Sequence, residues 1–243
     1  MKVFSFPNIK LLSTLFAGLL ILTCMCPLSA QVAKKPVVQS LSIPRMASKT
    51  LYRKAPLKPL IVIDAGHGGE DTGAEDSSYT EKHLNLATAR LVRAYLKQLG
   101  YRTSMTRNAD FFVPLDQRAA FANSQRPALF ISLHYNSAPS KKAEGIEIYY
   151  YHSDFNTQRV AESKKLANSV LNKILLNTSA KSRGVRDGNF AVIRETNMPA
   201  ILVEGGFLTN EKEVKKIKNP TYLKQLAWGV VQGIDEYLKQ IQY

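Results

Sequence analysis

Along this 243-residue chain, apolar runs with the length of a β-strand alternate with amphipathic segments with the length of a helix. The first run, LIVI at residues 60–63, is β-branched and has no polar alternation, as is typical of a strand covered on both faces. Residues 81–98 follow with apolar side chains at three- and four-residue spacing, which predicts a helix that ends at Gly100. Strands that alternate with helices predict an α/β fold, with a mostly parallel sheet and helices on both faces.

The same patterns place the remaining elements. The alternating or apolar runs predict strands at 101–106, 129–133 and 145–151. We expect helices at 115–122, entered through Pro114, at about 156–176, and at about 222–241, opened by Pro220. Two further short runs, 190–193 and 200–203, lie between the long helices.

The first thirty residues have the pattern of an export signal. An apolar run at 11–22 follows two lysines, has about half the ~20 residues that a membrane-spanning helix needs, and is followed by the small-residue segment PLSA. Both cysteines, Cys24 and Cys26, lie in this segment. We therefore predict a signal peptide at residues 1–30 and a mature chain without disulfides, thiolate metal sites or a cysteine nucleophile. The alternative is a lipoprotein anchored through one of these cysteines.

Residues 31–58 carry seven lysines and arginines, three prolines and no acid, which is half of the chain's net charge of +14. This composition predicts a basic linker before a domain at residues 59–243. An exported protein does not meet nucleic acid, so the polyanions available to the linker are lipid headgroups and wall polymers. We expect a periplasmic or cell-wall-associated protein whose linker either contacts the envelope surface or serves only as a solvated tether.

Three ionisable residues follow three different strands. His67 comes just after the first strand, His134 closes the strand at 129–133, and Glu204 closes the run at 200–203. Because ligands bind at the carboxyl ends of strands in an open α/β sheet, we expect these side chains to share one edge. Glu204 is the most informative of the three, since a carboxylate after a buried run needs a metal, a cation or a catalytic water beside it.

The loop AGHGG at residues 65–69 lacks the Lys-Ser/Thr of a phosphate-binding loop. Its glycines allow a sharp turn that projects His67 from the strand end. Glu81 opens the next helix, where a first-turn carboxylate is also favoured by the helix dipole alone. His83 does not share the face of Glu81, because positions i and i+2 diverge on a helix. A purely structural role remains open for each histidine and for Glu81.

Five segments in order resemble the zinc-dependent N-acetylmuramoyl-L-alanine amidases, which act on peptidoglycan. The resemblance runs from about residue 59 to about residue 240. It rests on IVIDAGHGG at 61–69, Glu81, Thr106-Arg107, SLHYN at 132–136 and VEGGF at 203–207.

The resemblance implies a mixed sheet and a single catalytic domain. It also implies that His67, Glu81 and His134 bind Zn²⁺ and that Glu204 is the general acid/base. Two imidazoles and one carboxylate leave a fourth position open for water, as in catalytic zinc sites. The implied reaction cleaves the amide between N-acetylmuramic acid and L-alanine of the stem peptide.

Three further residues have less specific interpretations. Asp64 is a candidate partner for a ligand imidazole, with a structural role at the strand end as the alternative. Asn136 and Arg107 are candidates for substrate contact.

The regulated division amidases of this family carry a long insertion after the second zinc histidine, part of which folds over the metal. Only about twenty residues separate His134 from Asn156 here, and most of them form the strand predicted at 145–151. We therefore expect an open site that requires no protein activator, in a monomer that lacks a separate wall-binding domain.

Two alternatives remain at this point. A zinc peptidase that cuts within the stem peptide would use the same metal site, and a non-catalytic wall-binding protein could retain the same scaffold. Both histidines together with Glu81 and Glu204 favour catalysis over binding, because binding alone does not require a buried base beside an open metal site.

Overall fold

The computed structural model describes residues 57–76 and 79–241. The predicted signal peptide (1–30), with Cys24 and Cys26, and all but the last two residues of the predicted linker (31–58) lie outside the described residues. The first strand begins at Leu60, close to the predicted start of the domain at residue 59. No helix in the described part of the chain has the length and apolar character that crossing a membrane requires.

Eight strands and six helices make up the described part of the chain. The strands are β1 (Leu60–Ala65), β2 (Glu75–Asp76), β3 (Tyr79–Thr80), β4 (Arg102–Met105), β5 (Leu129–Asn136), β6 (Ile146–Tyr150), β7 (Ser182–Asp187) and β8 (Ala200–Phe207). The helices are α1 (Glu81–Gln98), α2 (Leu115–Gln125), α3 (Thr157–Thr178), α4 (Ala191–Arg194), α5 (Glu211–Ile217) and α6 (Pro220–Gln240).

Six strands form one sheet in the order β4-β1-β5-β8-β6-β7, and β2 pairs with β3 in a small hairpin. Strands β4, β1, β5 and β8 are parallel, β6 is antiparallel to β8, and β7 is parallel to β6. The predicted fold class, a mixed and mostly parallel sheet with helices in a single domain, is confirmed.

The two faces of the sheet are covered differently. The larger apolar core packs one face against α1, α3, α5 and α6, with Ile63, Ile131 and Val203 fully buried. On the other face, α2 and α4 cover a smaller core around Phe130 and Leu202, near the beginnings of the strands.

Along this second face the side chains change from apolar to polar toward the carboxyl ends of the strands. Alternate residues of a strand share a face, so Ser132 and His134 follow Phe130 in β5, and Glu204 follows Leu202 in β8. Because α2 and α4 cover the apolar half, the polar half is left for a site.

Several elements differ from the expectations. The run at 190–193 contributes to the helix α4 rather than extending the sheet, because its Val192 and Ile193 pack on the smaller core. The strand β7 and the helix α5 were not predicted. The sequence of β7, SRGVRD, has one apolar residue, so it carries no strand period.

Candidate metal centre

The three predicted strand-end residues come together at one edge of the sheet. β1, β5 and β8 are adjacent and parallel, and His134 and Glu204 are direct register partners. Glu81 reaches the same edge from the first residue of α1, because the β2–β3 hairpin returns the chain to it.

His67, Glu81 and His134 form a group that could hold a metal ion. One donor atom from each lies within 4.8 Å of the others. Glu81 Oε2 is 3.2 Å from His67 Nε2, and Glu81 Oε1 is 2.9 Å from His134 Nδ1. The two imidazole rings meet edge to face, with centroids 4.9 Å apart. A shared carboxylate between two imidazoles is a donor set suited to a divalent transition metal.

Asp71 fixes the orientation of the His67 ring. Its Oδ1 accepts a hydrogen bond from His67 Nδ1 at 2.8 Å and another from the backbone N–H of Gly73. The proton on Nδ1 leaves Nε2 to face Glu81, which is the usual arrangement around a metal-binding histidine. Burial alone would lower the pKa of His67, but the hydrogen bonds and charges of Glu81 and Asp71 outweigh it and raise the pKa.

The glycine loop brings the ligands close to each other. A Cβ at Gly66 would lie 2.1 Å from Cε1 of His134, and a Cβ at Gly73 would lie 2.6 Å from Glu81 Oε2. Gly73 also has a φ of +68°. The backbone therefore passes against the site at both positions, where a larger side chain would displace a ligand.

Glu81 is buried and held by the main chain. Its Oε2 accepts from the backbone N–H of Ala74, and its Oε1 accepts from the backbone N–H of Tyr135 and from Asn85 Nδ2. Burial opposes its ionisation, but the hydrogen bonds from His134 and His67 hold the pKa of Glu81 well below its usual range. The carboxylate is therefore charged and fixed in place, which the helix-dipole interpretation alone does not require.

Glu204 lies on the same face as His134 and is 8% exposed. Its Oε2 is buried without a hydrogen-bond partner among the described residues. Burial, followed by the negative charges of Glu81 and Glu147, raises the pKa of Glu204 well above its ordinary value. An unpartnered buried carboxylate oxygen is expected where a cation or a water molecule binds beside it. A cation held by His67, Glu81 and His134 would lower the pKa of Glu204 again.

A cleft of about 300 Å³ opens over these groups. Leu115 and Phe190 flank it, and Asn136 lines it together with the triad and Glu204. The side chain of Asn136 is fixed, because its Nδ2 donates to Glu147 Oε1 at 2.6 Å. The location of Asn136 agrees with the predicted substrate contact, which stays a prediction.

Asp64 has the structural role rather than the contact with a ligand. It is fully buried, pairs with Arg118 Nη1 at 2.9 Å, and accepts from the hydroxyls of Ser132 and Thr106. Burial would raise the pKa of Asp64, but Arg118 and the two hydroxyls lower it. Arg118 also donates to the carbonyl of His67, so this ion pair supports the loop that carries the ligand.

The predicted substrate contact of Arg107 has no support in its position, because the side chain is buried behind the site. It is 1% exposed and donates to the carbonyls of Ala65, Gly66 and Lys82. Its guanidinium therefore fastens the glycine loop to the start of α1 from behind the site.

We expect Arg118→Met to destabilise the fold at pH 7 by about 3–5 kcal/mol, because it leaves the Asp64 carboxylate buried without a cation. Asp64→Asn/Arg118→Met should recover much of that loss. A carboxyl with a lowered folded-state pKa stabilises above its unfolded value of 3.8 and loses this contribution as pH falls. Urea unfolding at pH 7 and at a pH below 3.8 tests this, and equal losses at the two pH values would contradict it.

The two remaining histidines lie away from the cleft. The side chain of His83 is 57% exposed and lies 3.4 Å from Asp110, and His152 is exposed beside Asp154. The expected divergence of Glu81 and His83 on α1 is therefore confirmed. Sequence analysis missed Asp71, which fixes the ring of His67, and Glu147, which fixes the side chain of Asn136. Asp71 follows His67 by four residues, whereas Glu147 is eleven residues from Asn136 and carries no local signal.

The segment between His134 and α3 contains β6 and two loops, and no helix. The expectation that it is too short to hold both a strand and an occluding helix is confirmed for this structure.

Known proteins are similar to this chain over most of the residues described above. The model of the N-acetylmuramoyl-L-alanine amidase family matches residues 61–236. Protein YqiI of Bacillus subtilis is 36% identical over 180 residues, which are 74% of this chain and 85% of that protein. N-acetylmuramoyl-L-alanine amidase AmiC of Neisseria meningitidis is 32% identical over 221 residues, and the match covers 74% of this chain and 53% of that protein.

A solved structure of the same family has the same fold. The crystal structure of an N-acetylmuramoyl-L-alanine amidase from Clostridium difficile 630 superposes with a TM-score of 0.73 at 37% identity, and covers 76% of this chain and 100% of that one. The matched segment contains His67, Glu81, His134 and Glu204. The chain therefore belongs to the N-acetylmuramoyl-L-alanine amidase family.

Proposed function

We propose that this chain is an exported zinc hydrolase that cleaves the amide bond between the lactyl group of N-acetylmuramic acid and L-alanine in peptidoglycan. One observation carries the proposal: two imidazoles and a carboxylate converge beside a buried second carboxylate with an unpartnered oxygen, in a chain of this family. The site lies in an open cleft, where an extended substrate has access to it.

His67, Glu81 and His134 would hold the zinc ion. Their two nitrogens and one carboxylate oxygen are the protein ligand set of an open catalytic zinc site. A bound zinc ion supplies Lewis-acid activation of water and of the amide carbonyl. Asp71 keeps the His67 ring in the tautomer that presents Nε2 to the site.

Glu204 moves the proton in this reaction. Its carboxylate takes a proton from the attacking water and then gives it to the nitrogen of L-alanine, so that the amide bond breaks with a neutral amine leaving. Burial and the negative charges of Glu81 and Glu147 make Glu204 a stronger base than an exposed carboxylate, and a cation at the triad would keep it ionised until it accepts the first proton.

Neither alternative function has a specific observation in its favour. AmiC and the Clostridium difficile protein are amidases, and a wall-binding role leaves the buried base unexplained. The match covers only 53% of the AmiC chain, so wall targeting is a separate question. For targeting we propose the basic residues at 31–58, whose attraction to an anionic wall should weaken as salt rises.

The bond that is cut distinguishes amidase from peptidase. We expect the purified chain without residues 1–30 to release intact stem peptides with a free L-alanine amino group from peptidoglycan. Mass spectrometry of the digest identifies these products. Glycan strands that still carry a shortened peptide would instead indicate a peptidase.

We also propose that the domain needs no protein activator, because no occluding helix lies between His134 and α3 in the described chain. An open site avoids the affinity loss that comes with displacing an inhibitory segment. Residues 59–243 should hydrolyse peptidoglycan without a partner, and residues 31–243 should do so with a stronger salt dependence. If neither protein cuts until a second envelope protein is added, this proposal is wrong.

A further inference from the structure

Beyond Glu204 on β8, the next two strands of the sheet, β6 and β7, carry charged side chains on or near the face that holds the site. Glu147 on β6 is the register partner of Glu204, so the two carboxylates leave the same face of neighbouring strands. On the next strand, β7, Arg183 Nε donates to Glu147 Oε2 at 2.8 Å, and Arg186 Nε lies 3.5 Å from the same oxygen. Two guanidinium groups therefore stand two strands away from the proposed acid/base.

One carboxylate does not satisfy these two cations. Glu147 is 2% exposed, and its other oxygen already accepts from Asn136 Nδ2 and from the hydroxyl of Tyr149. The arginine side chains are 31% and 49% exposed, so they face solvent beyond the buried carboxylate. Glu147 and the two arginines together therefore carry a net charge of about +1, on the solvent side of the buried carboxylate.

Both guanidinium groups also have N–H donors that are available to a ligand. The Arg183 guanidinium packs against the Phe207 ring at 4.8 Å, which fixes its plane. Within residues 57–76 and 79–241, no acceptor binds the Nη atoms of Arg183. Besides its 3.5 Å ion pair with Glu147, Arg186 makes 3.3 Å contacts to the carbonyl of Arg183. A guanidinium with a fixed plane and free Nη donors binds carboxylates in a bidentate way.

We propose that Arg183 and Arg186, held in place by Glu147, form a subsite for a carboxylate of the stem peptide. This inference rests on the proposed amidase function. Two strand spacings separate β8 from β7, about 9.6 Å. Two extended residues of the stem peptide span about 7 Å. The arginine side chains reach over the rest of the distance between the two strands. The group that fits is the α-carboxylate of a γ-linked glutamate at the second peptide position, on the leaving side of the cleaved bond.

Two synthetic muramoyl peptides test the subsite. They differ only in whether the α-carboxyl of the second residue is free or amidated. We expect the unsubstituted enzyme to prefer the free acid, mainly through a lower KM, because the contact is made to bound substrate before reaction. Arg186→Gln should reduce the ratio of kcat/KM, free acid over amide, by about 5- to 10-fold, a modest loss for a half-exposed charged contact.

Two further variants complete the design. Arg186→Gln leaves Glu147 paired with Arg183, and Arg183→Lys keeps a cation beside Glu147 but removes the planar fork, so it should lower the same ratio. Lys181→Gln is the matched control: it removes one positive charge just before β7, from a side chain that is 66% exposed and paired with Glu144. This control should leave the ratio unchanged.

The outcomes separate the two proposals. If the unsubstituted enzyme cuts neither peptide at the lactyl amide, the proposed function fails. If it cuts both peptides and neither arginine variant changes the ratio, or if Lys181→Gln changes it equally, the subsite is wrong and the arginines serve only as charges on an edge strand.

Discussion

Replacing His134 with alanine should remove the bound zinc and lower amidase activity by more than about 10⁴-fold. This exceeds the 10²–10⁴ that a single acid/base group supplies, because metal loss removes activation of both the water and the carbonyl. His134 lies 2.9 Å from Glu81 and its ring fills the space that Gly66 leaves open, so its loss leaves one position of the ligand set empty. His67→Ala should behave in the same way.

His152→Ala is the matched control for these variants. His152 is exposed and pairs with Asp154, away from the cleft, so its removal should change neither metal content nor rate. Elemental analysis of the purified proteins gives the zinc content, and release of free L-alanine termini from peptidoglycan gives the rate. Full zinc occupancy in the His134→Ala protein would remove His134 from the ligand set.

Glu204→Gln should have the opposite combination of properties: unchanged zinc content and a rate lower by about 10²–10⁴, the contribution of a general acid/base. Glutamine keeps the shape of the side chain but takes no proton. Because burial and two nearby carboxylates disfavour the charged form of Glu204 when the site holds no cation, we expect the metal-free variant to have a free energy of unfolding equal to or above that of the metal-free parent.

Glu195→Gln is the control for the loss of one carboxylate. Glu195 is partly exposed and pairs with Arg194 outside the cleft, so its change should leave rate, metal and stability unaltered. Loss of zinc in Glu204→Gln would make Glu204 a ligand and would reopen the role of Glu81.

The sequence predicted the parts of the fold that rest on apolar periodicity. The helix at 81–98 has the predicted bounds because its apolar spacing is regular and Gly100 follows it. The strand at 129–133 extends to Asn136, since the polar end of β5 pairs with β8 at the site. Strand-end position and the family resemblance together selected the four residues that the structure brings to one cleft.

The remainder depends on contacts between distant segments, which a single sequence does not reveal. β7 is held by its pairing with β6 and by the ion pair between Arg183 and Glu147, so its own residues carry no strand pattern. Arg107 follows a strand in the same way as a substrate-binding residue would, yet its guanidinium turns inward to four backbone carbonyls. Only the fold shows which way such a side chain points.

The most direct measurement is a crystal structure of the zinc-loaded protein with an anomalous difference map at the zinc absorption edge. We predict one peak, with a nitrogen of His67, a nitrogen of His134 and a carboxylate oxygen of Glu81 at about 2.0–2.2 Å, and with Glu204 outside bonding distance. A map without a peak at these three residues, or with Glu204 in the coordination sphere, would contradict the proposed metal centre.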